Sequence, residues 1–165
     1  MNIFYLNENP VEAAKLHCLR HTKMILESAQ MLSTCVNSQI KNANLYKSTH
    51  LNHPCTKWIS ESKDNFLWLY EMVYTLGEIY KKRHNGIEHK SMAIINKAYM
   101  YINNLSFNDS GLTRIRQVMP QEYRLINPVK AYLSYYINEK SKLFSSNDGN
   151  LLEILQDRFN NLEDR

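Results

Sequence analysis

An all-α fold is predicted by the helical spacing of the apolar residues, the scarcity of turn-forming residues and a hydrophobic content of 44%. The chain of 165 residues has 4 glycines and 4 prolines, whereas a β-sandwich or barrel needs many tight turns that use both. The length is that of one domain, and the apolar content is enough for a core. We therefore predict a single compact domain over residues 1–165, with about five helices and a short extended N-terminal arm.

The sequence of the N-terminal third predicts an extended arm, then a long helix and then a loop. Residues 2–6 are apolar and predict an extended arm that packs on the helices. Asn9 can cap a helix and Pro10 fits its first position. Apolar residues recur at helical spacing from there to about Cys35, which predicts one long helix. The polar, asparagine-rich residues 37–51 predict a loop.

The central part predicts two further helical regions. His53 and Pro54 restart a helix that continues to Lys82, and the polar run over residues 60–65 is a point at which it can break in two. Apolar residues at helical spacing predict the next helix over residues 88–104.

The C-terminal part predicts an irregular segment and two helices. Residues 105–126 carry no sustained helical pattern and are expected to be irregular. Asn127 and Pro128 then begin a helix that runs to about Phe144. A last short helix is predicted over residues 151–162.

The charge and the cysteines limit the environment and the partner. A net charge of +4 and a pI of about 8.9 permit binding to nucleic acid or to a nucleotide without requiring it. Cys18, Cys35 and Cys55 are an odd number and form no Cys-x-x-Cys pair, which predicts a reducing, cytoplasmic location. We expect no secretory leader and, in the absence of a run of about 18 apolar residues, no membrane partner.

The predicted first helix carries the most informative polar group. Residues spaced 3, 4 and 3 apart share one face of a helix; they are His17, Arg20, Met24 and Glu27, flanked by His21 and Lys23. A glycosylase needs such a set, because a carboxylate stabilises positive charge on the sugar while cations hold the phosphates. The alternative is an ordinary surface pair between Lys23 and Glu27, with both histidines in solvent.

Two more groups are candidates for phosphate binding. His50 and His53 lie at a helix start, where an anion is favoured; the alternative is that His53 simply caps the helix. Arg114, Arg116 and Arg124 lie in the irregular segment, and loops often carry binding groups.

Cofactors are not predicted. His17 and His21 have His-x₃-His spacing, but this pair alone is a weak signal for zinc, and no acidic residue accompanies His50 and His53. The chain also has no glycine-rich phosphate loop and no Gly-x-Ser-x-Gly motif. We therefore expect neither a metal nor a cofactor.

A family resemblance is carried by short blocks scattered along much of the chain. They are the helix start Asn9-Pro10-Val11 with Ala13, Ala14 and His17, a central block from Ser60 to Arg83, the run Met119-Pro120-Gln121-Glu122-Tyr123-Arg124, and Glu139-Lys140. In this order they resemble the phage pyrimidine-dimer DNA glycosylase (endonuclease V) family. The blocks from His17 to Glu27 and from Asn52 to Cys55 also resemble a group of uncharacterised phage proteins.

The resemblance implies an all-α protein that flips a nucleotide out of DNA, cleaves the glycosidic bond and then cleaves the backbone. In that family the nucleophile is the α-amine of a threonine exposed by removal of methionine, a glutamate on the first long helix assists, and arginines and histidines hold phosphates. His17 matches the family's histidine, and Glu27 is the candidate acid, about one turn further along than expected. Asn2 replaces the threonine, so we expect Met1 to be retained.

Three functions follow from these residues. The first is a phage-type N-glycosylase acting on a nucleobase in DNA or on a nucleotide, with Glu27 activating water or stabilising the sugar cation and His17 assisting. Its phosphate-binding residues would be Arg20, His21, Lys23, His50, His53, Arg114, Arg116 and Arg124. The second is a non-catalytic protein that sequesters a nucleotide-type signal in phage counter-defence. The third is a helical interaction module with a solvated charged face.

Overall fold

The all-α fold class is confirmed by the computed structural model, which describes residues 1–163. This part of the chain contains seven α-helices and no β-strand. The helices are α1 (Pro10–Lys15), α2 (Lys23–Asn37), α3 (Pro54–Glu61), α4 (Lys63–Arg83), α5 (Met92–Met100), α6 (Pro128–Lys140) and α7 (Leu151–Asn161). None of the helices in the described residues has both the length and the apolar composition that crossing a bilayer requires.

The chain divides into two compact units. The first unit consists of Met1–Ile3 and Thr22–Arg116 and contains α2 to α5. The second unit consists of Phe4–His21 and the chain from Gln117 onward, and it contains α1, α6 and α7. The single domain over residues 1–165 stays a prediction.

The first unit is built around α2, which packs against α3, α4 and α5. Its core includes two buried tryptophans, Trp58 and Trp68, whose rings meet edge to face with centroids 6.0 Å apart. The break predicted at residues 60–65 is confirmed at Ser62, which has extended backbone angles and separates α3 from α4. The Ser62 hydroxyl accepts the amide hydrogen of Asn65 and so caps α4.

The second unit packs α6 against α7, and the ring of Phe4 from the N-terminal arm packs against tyrosines of α6. Asn127 caps α6 as predicted, since its side chain accepts the amide hydrogen of Lys130. Phe4 is buried, and its ring meets that of Tyr136 at a centroid distance of 5.1 Å. Edge-to-face aromatic pairs of this kind stabilise a core beyond the area they bury.

The prediction of one long helix from Pro10 to about Cys35 is wrong, because α1 ends at Lys15 and α2 begins at Lys23. The amide of Cys18 donates to the Tyr136 hydroxyl at 2.9 Å, and the amide of Leu19 donates to the Asp148 carboxylate at 2.6 Å. Both amides therefore bond to side chains more than 110 residues away instead of to helical carbonyls. The chain can leave the helix without burying unpaired amides.

Other helix boundaries differ by a few residues. The helix predicted over residues 88–104 is α5, which is shorter, followed by a single 3₁₀ turn over Ile102–Asn104. The helix predicted to reach about Phe144 ends at Lys140 and continues as a 3₁₀ turn over Ser141–Leu143. The irregular segment 105–126 is confirmed, with one 3₁₀ turn at Gln121–Tyr123.

Replacing Tyr136 by Phe tests the hydrogen bond that ends the helical path after α1. We expect the free energy of unfolding to fall by about 1–3 kcal/mol, because the buried amide of Cys18 loses its acceptor. Urea unfolding followed by circular dichroism measures this change. The matched control is Tyr135→Phe, which we expect to change stability by no more than about 0.5 kcal/mol. Equal stability of the Tyr136→Phe variant and the parent would contradict this account.

Candidate functional site

Glu27 lies in the second turn of α2, and its carboxylate is contacted on both oxygens. Oε2 lies 3.7 Å from the amino nitrogen of Met1 and accepts the amide hydrogen of Asn2 at 3.3 Å. Oε1 lies 3.3 Å from the Nζ of Lys23, one turn earlier on the same helix. The Glu27 side chain is 13% exposed and that of Lys23 is 75% exposed. The Lys23–Glu27 pair is therefore present, but its carboxylate is mostly buried.

Met1 and Asn2 reach residues of α3 as well as Glu27. The Met1 side chain is 4% exposed, and its sulfur accepts a hydrogen bond from the Thr56 hydroxyl at 3.8 Å. The Cys55 thiol donates to the side-chain oxygen of Asn2 at 3.9 Å. Burial raises the pKa of Cys55 to about 12, so this thiol stays protonated at neutral pH and is a poor nucleophile.

His53 caps α3 and is electrostatically linked to Glu27. Its Nδ1 accepts the amide hydrogen of Cys55 at 3.2 Å, so the neutral ring carries its hydrogen on Nε2. Burial lowers the pKa of His53, the charges of the Met1 amino group and of His50 lower it further, and Glu27 opposes them. At neutral pH His53 is thus a neutral hydrogen-bond donor and not a cation.

His50 completes this group on the loop before α3. Its ring centroid lies 6.5 Å from that of His53, and its Nδ1 lies 2.6 Å from the Thr49 hydroxyl. The residue is exposed and has a φ of 53°, in the left-handed region that non-glycine residues adopt rarely. We use the name Glu27 cluster for Lys23, Glu27, His50 and His53 with the main-chain nitrogens of Met1 and Asn2.

His17 lies in the second unit and does not share a helix with Glu27. It follows the end of α1, is 4% exposed, and donates from Nδ1 to the carbonyl of Ala13 at 2.8 Å. Its Nε2 is buried without a hydrogen-bond partner among the described residues. Burial, with a smaller contribution from His21, lowers the pKa of His17 to about 3. The prediction that His17 shares one helix face with Arg20 and Glu27 is wrong, because His17 lies between α1 and α2 with its ring packed against Phe4 and Tyr136.

Three other candidates also belong to the second unit. Arg20 is exposed in the turn after α1. The Nδ1 of His21 lies 3.3 Å from the hydroxyl of Tyr136. Arg124 donates from Nε to the carbonyl of Met119 at 3.1 Å.

The remaining arginines belong to the first unit. Arg116 pairs with Glu61, with 2.6 Å between guanidinium nitrogen and carboxylate oxygen. Arg114 is exposed in the same irregular segment. The first unit therefore contains Lys23, Glu27, His50, His53, Arg114 and Arg116, whereas His17, Arg20, His21 and Arg124 belong to the second.

The sequence did not predict that the main-chain nitrogens of Met1 and Asn2 contact Glu27, nor that the Thr56 hydroxyl donates to the Met1 sulfur. Main-chain nitrogens leave no signal in a sequence, since every residue except proline has an amide hydrogen. Among residues 1–163, no three His, Cys, Asp or Glu side chains come together in a group that could hold a metal ion.

Comparison with known proteins leaves the likeness to the endonuclease V family a prediction. No family model, curated protein or solved structure matches the chain. Its function must follow from the contacts of its own side chains, among which the Glu27 cluster offers a carboxylate, a cation and a neutral donor.

The buried His17 predicts a loss of stability in acid. Its pKa of about 3 in the folded protein lies below the ordinary value of 6.5, so between these values the unfolded chain binds a proton that the folded protein does not. The free energy of unfolding should therefore fall with decreasing pH by about 1.4 kcal/mol per pH unit from this group.

Urea unfolding at intervals from pH 7 to pH 4 measures this slope in the parent and in His17→Phe. We expect the free energy of unfolding of His17→Phe to change less steeply with pH than that of the parent, because the contribution of His17 is absent. Identical slopes in the two proteins would show that His17 is not held neutral by the fold.

Proposed function

We propose that this chain is a phage-type N-glycosylase that acts on a nucleobase in DNA or on a nucleotide, with Glu27 as its catalytic carboxylate. The observation that supports the proposal is the setting of Glu27, a carboxylate 13% exposed and contacted by nitrogens on both oxygens. These contacts fix its position before substrate binds, and a carboxylate that needs no reorganisation is effective at stabilising a cation.

The reaction would be hydrolysis of the N-glycosidic bond. As the bond between the sugar and the base breaks, its electron pair leaves with the base and positive charge develops on the sugar. Glu27 would stabilise that charge or take a proton from the attacking water, whose oxygen forms the new bond to the sugar. The departing base is protonated, and the products are the free base and a sugar hydroxyl.

The neighbours of Glu27 would bind and position the substrate. Lys23 is exposed and carries a charge that can pair with a phosphate. The Nε2 hydrogen of His53 would donate to a phosphate oxygen or to the departing base, and the tautomer that provides it is fixed by the cap of α3. His50 and the exposed Arg114 are further candidates for phosphate contacts in the same unit.

Replacing Glu27 by Gln should reduce base release by about 100-fold or more, because general base catalysis and charge stabilisation are typically worth that factor. Base release from oligonucleotides and from free nucleotides is followed by chromatography, and the dissociation constant of the substrate should remain within about threefold. The matched control is Glu12→Gln, which removes an exposed carboxylate paired with Lys15 on α1 and should leave base release unchanged. Full activity in the Glu27→Gln variant would overturn the assignment.

A binding protein without catalysis is the second candidate, and one observation favours it. Both oxygens of Glu27 already contact nitrogens of the chain itself, so the carboxylate could serve only to hold Met1 and Asn2 in place. In that case the protein would sequester a nucleotide without changing it. Recovery of the unchanged nucleotide from heat-denatured protein after long incubation supports sequestration, whereas recovery of the free base supports the enzyme.

A further inference from the structure

A cavity lies in the first unit, between α2, α3 and residues 108 and 109. Its volume is about 320 Å³, within the range of pockets that bind small molecules. Thr34, Ser38, Thr56, Lys57, Ser60 and Asp109 are among the residues that line it. None of the residues that line it was among the catalytic or phosphate-binding candidates predicted from the sequence.

The cavity shares helix faces with the Glu27 cluster. Thr34 of α2 lies seven residues after Glu27 and Ser38, which follows the last residue of α2, lies eleven residues after it; these spacings return to the same face of a helix. On α3, Thr56 lies three residues after the cap His53 and lines the cavity. The Thr56 hydroxyl also touches the sulfur of Met1, whose amino nitrogen is near Glu27. A rise of 1.5 Å per residue places Thr34 about 10 Å along α2 from Glu27.

The hydrogen-bond inventory of the cavity is rich in acceptors. The Ser38 hydroxyl donates to the carbonyl of Cys35 at 2.7 Å, and the Ser60 hydroxyl donates to the carbonyl of Thr56 at 3.0 Å. A hydroxyl whose hydrogen is used in this way can offer only its oxygen lone pairs. The Asp109 carboxylate adds two more acceptor oxygens and forms no hydrogen bond or ion pair with any residue that the structure describes.

Lys57 provides the complementary donor. Its side chain is exposed at the cavity, and its ammonium group forms no ion pair within residues 1–163. A ligand that pairs with the Asp109 carboxylate and with the Lys57 ammonium needs neighbouring N–H donors for the first and an acceptor for the second. Among the nucleobases, guanine has this pattern on one edge, with the ring N1–H and the N2 amino group beside the O6 oxygen. Lysine and arginine commonly donate to guanine O6, and carboxylates commonly accept from amino groups of bases.

We propose that this cavity is a guanine-binding pocket, in which Asp109 accepts from N1–H and N2–H and Lys57 donates to O6. The inference rests on the proposed function for the class of ligand, a nucleotide, and it selects the base. Adenine and cytosine offer an amino group without the adjacent N–H, and hypoxanthine lacks the N2 amino group. Each would lose at least one hydrogen bond to the carboxylate.

The test compares binding of GMP and IMP, which differ only in the N2 amino group, by isothermal titration calorimetry. We expect GMP to bind about tenfold more tightly, the lower end of the effect of one hydrogen bond to a charged group because the cavity is open to solvent. Asp109→Asn should bring the ratio close to one, and Lys57→Met should weaken both ligands. The matched control Asp64→Asn removes an exposed carboxylate of α4 outside the cavity and should preserve the ratio.

Failure of this inference and failure of the proposed function give different results. Equal binding of GMP, IMP and AMP, no binding of any of them, or a preference that survives Asp109→Asn overturns the guanine pocket. Base release that depends on Glu27 would still support the enzyme in each of these cases. Preferential binding of GMP that depends on Asp109, without any release of guanine, supports the pocket and contradicts the glycosylase. Thermal unfolding of each variant shows whether a lost preference comes from a lost fold.

Discussion

The contacts of the Glu27 carboxylate are the constraint on which the candidate site depends. A mostly buried carboxylate is costly unless nitrogens compensate it, and here the main-chain nitrogens of Met1 and Asn2 and the Lys23 ammonium do so. This compensation holds Met1 and Asn2 beside α2, and it brings a positive amino group close enough to His53 to lower the pKa of that imidazole. Burial is the larger cause of that lowered pKa, and Glu27 itself opposes it.

The second unit depends on a different set of contacts, centred on Tyr136. Its hydroxyl takes the amide hydrogen of Cys18, and its ring packs against Phe4 and His17. His17 is consequently a buried, neutral part of an aromatic core. The histidine that resembles a catalytic residue by its place in the sequence therefore packs within the core of the second unit, whereas the Glu27 cluster belongs to the first unit.

The sequence was sufficient for the all-α class and for most helix positions, since apolar spacing and caps such as Asn127 are local signals. It failed between Lys15 and Lys23 because the amides of that segment bond to Tyr136 and Asp148, and periodicity carries no information on such distant partners. The candidate site shows the same limit. Lys23 and Glu27 are one helical turn apart, so their ion pair could be predicted from the sequence. The contact of Glu27 with Met1 depends on tertiary structure and could not.

A crystal structure of the Glu27→Gln variant with a bound nucleotide tests the central claim, that the reacting sugar lies against residue 27, most directly. We expect the sugar carbon bearing the base to contact the side chain at position 27 and the nucleotide to accept a hydrogen bond from His53 Nε2. A nucleotide bound beside Arg20 and Arg124 in the second unit, with residue 27 still contacting only Met1, Asn2 and Lys23, would contradict it.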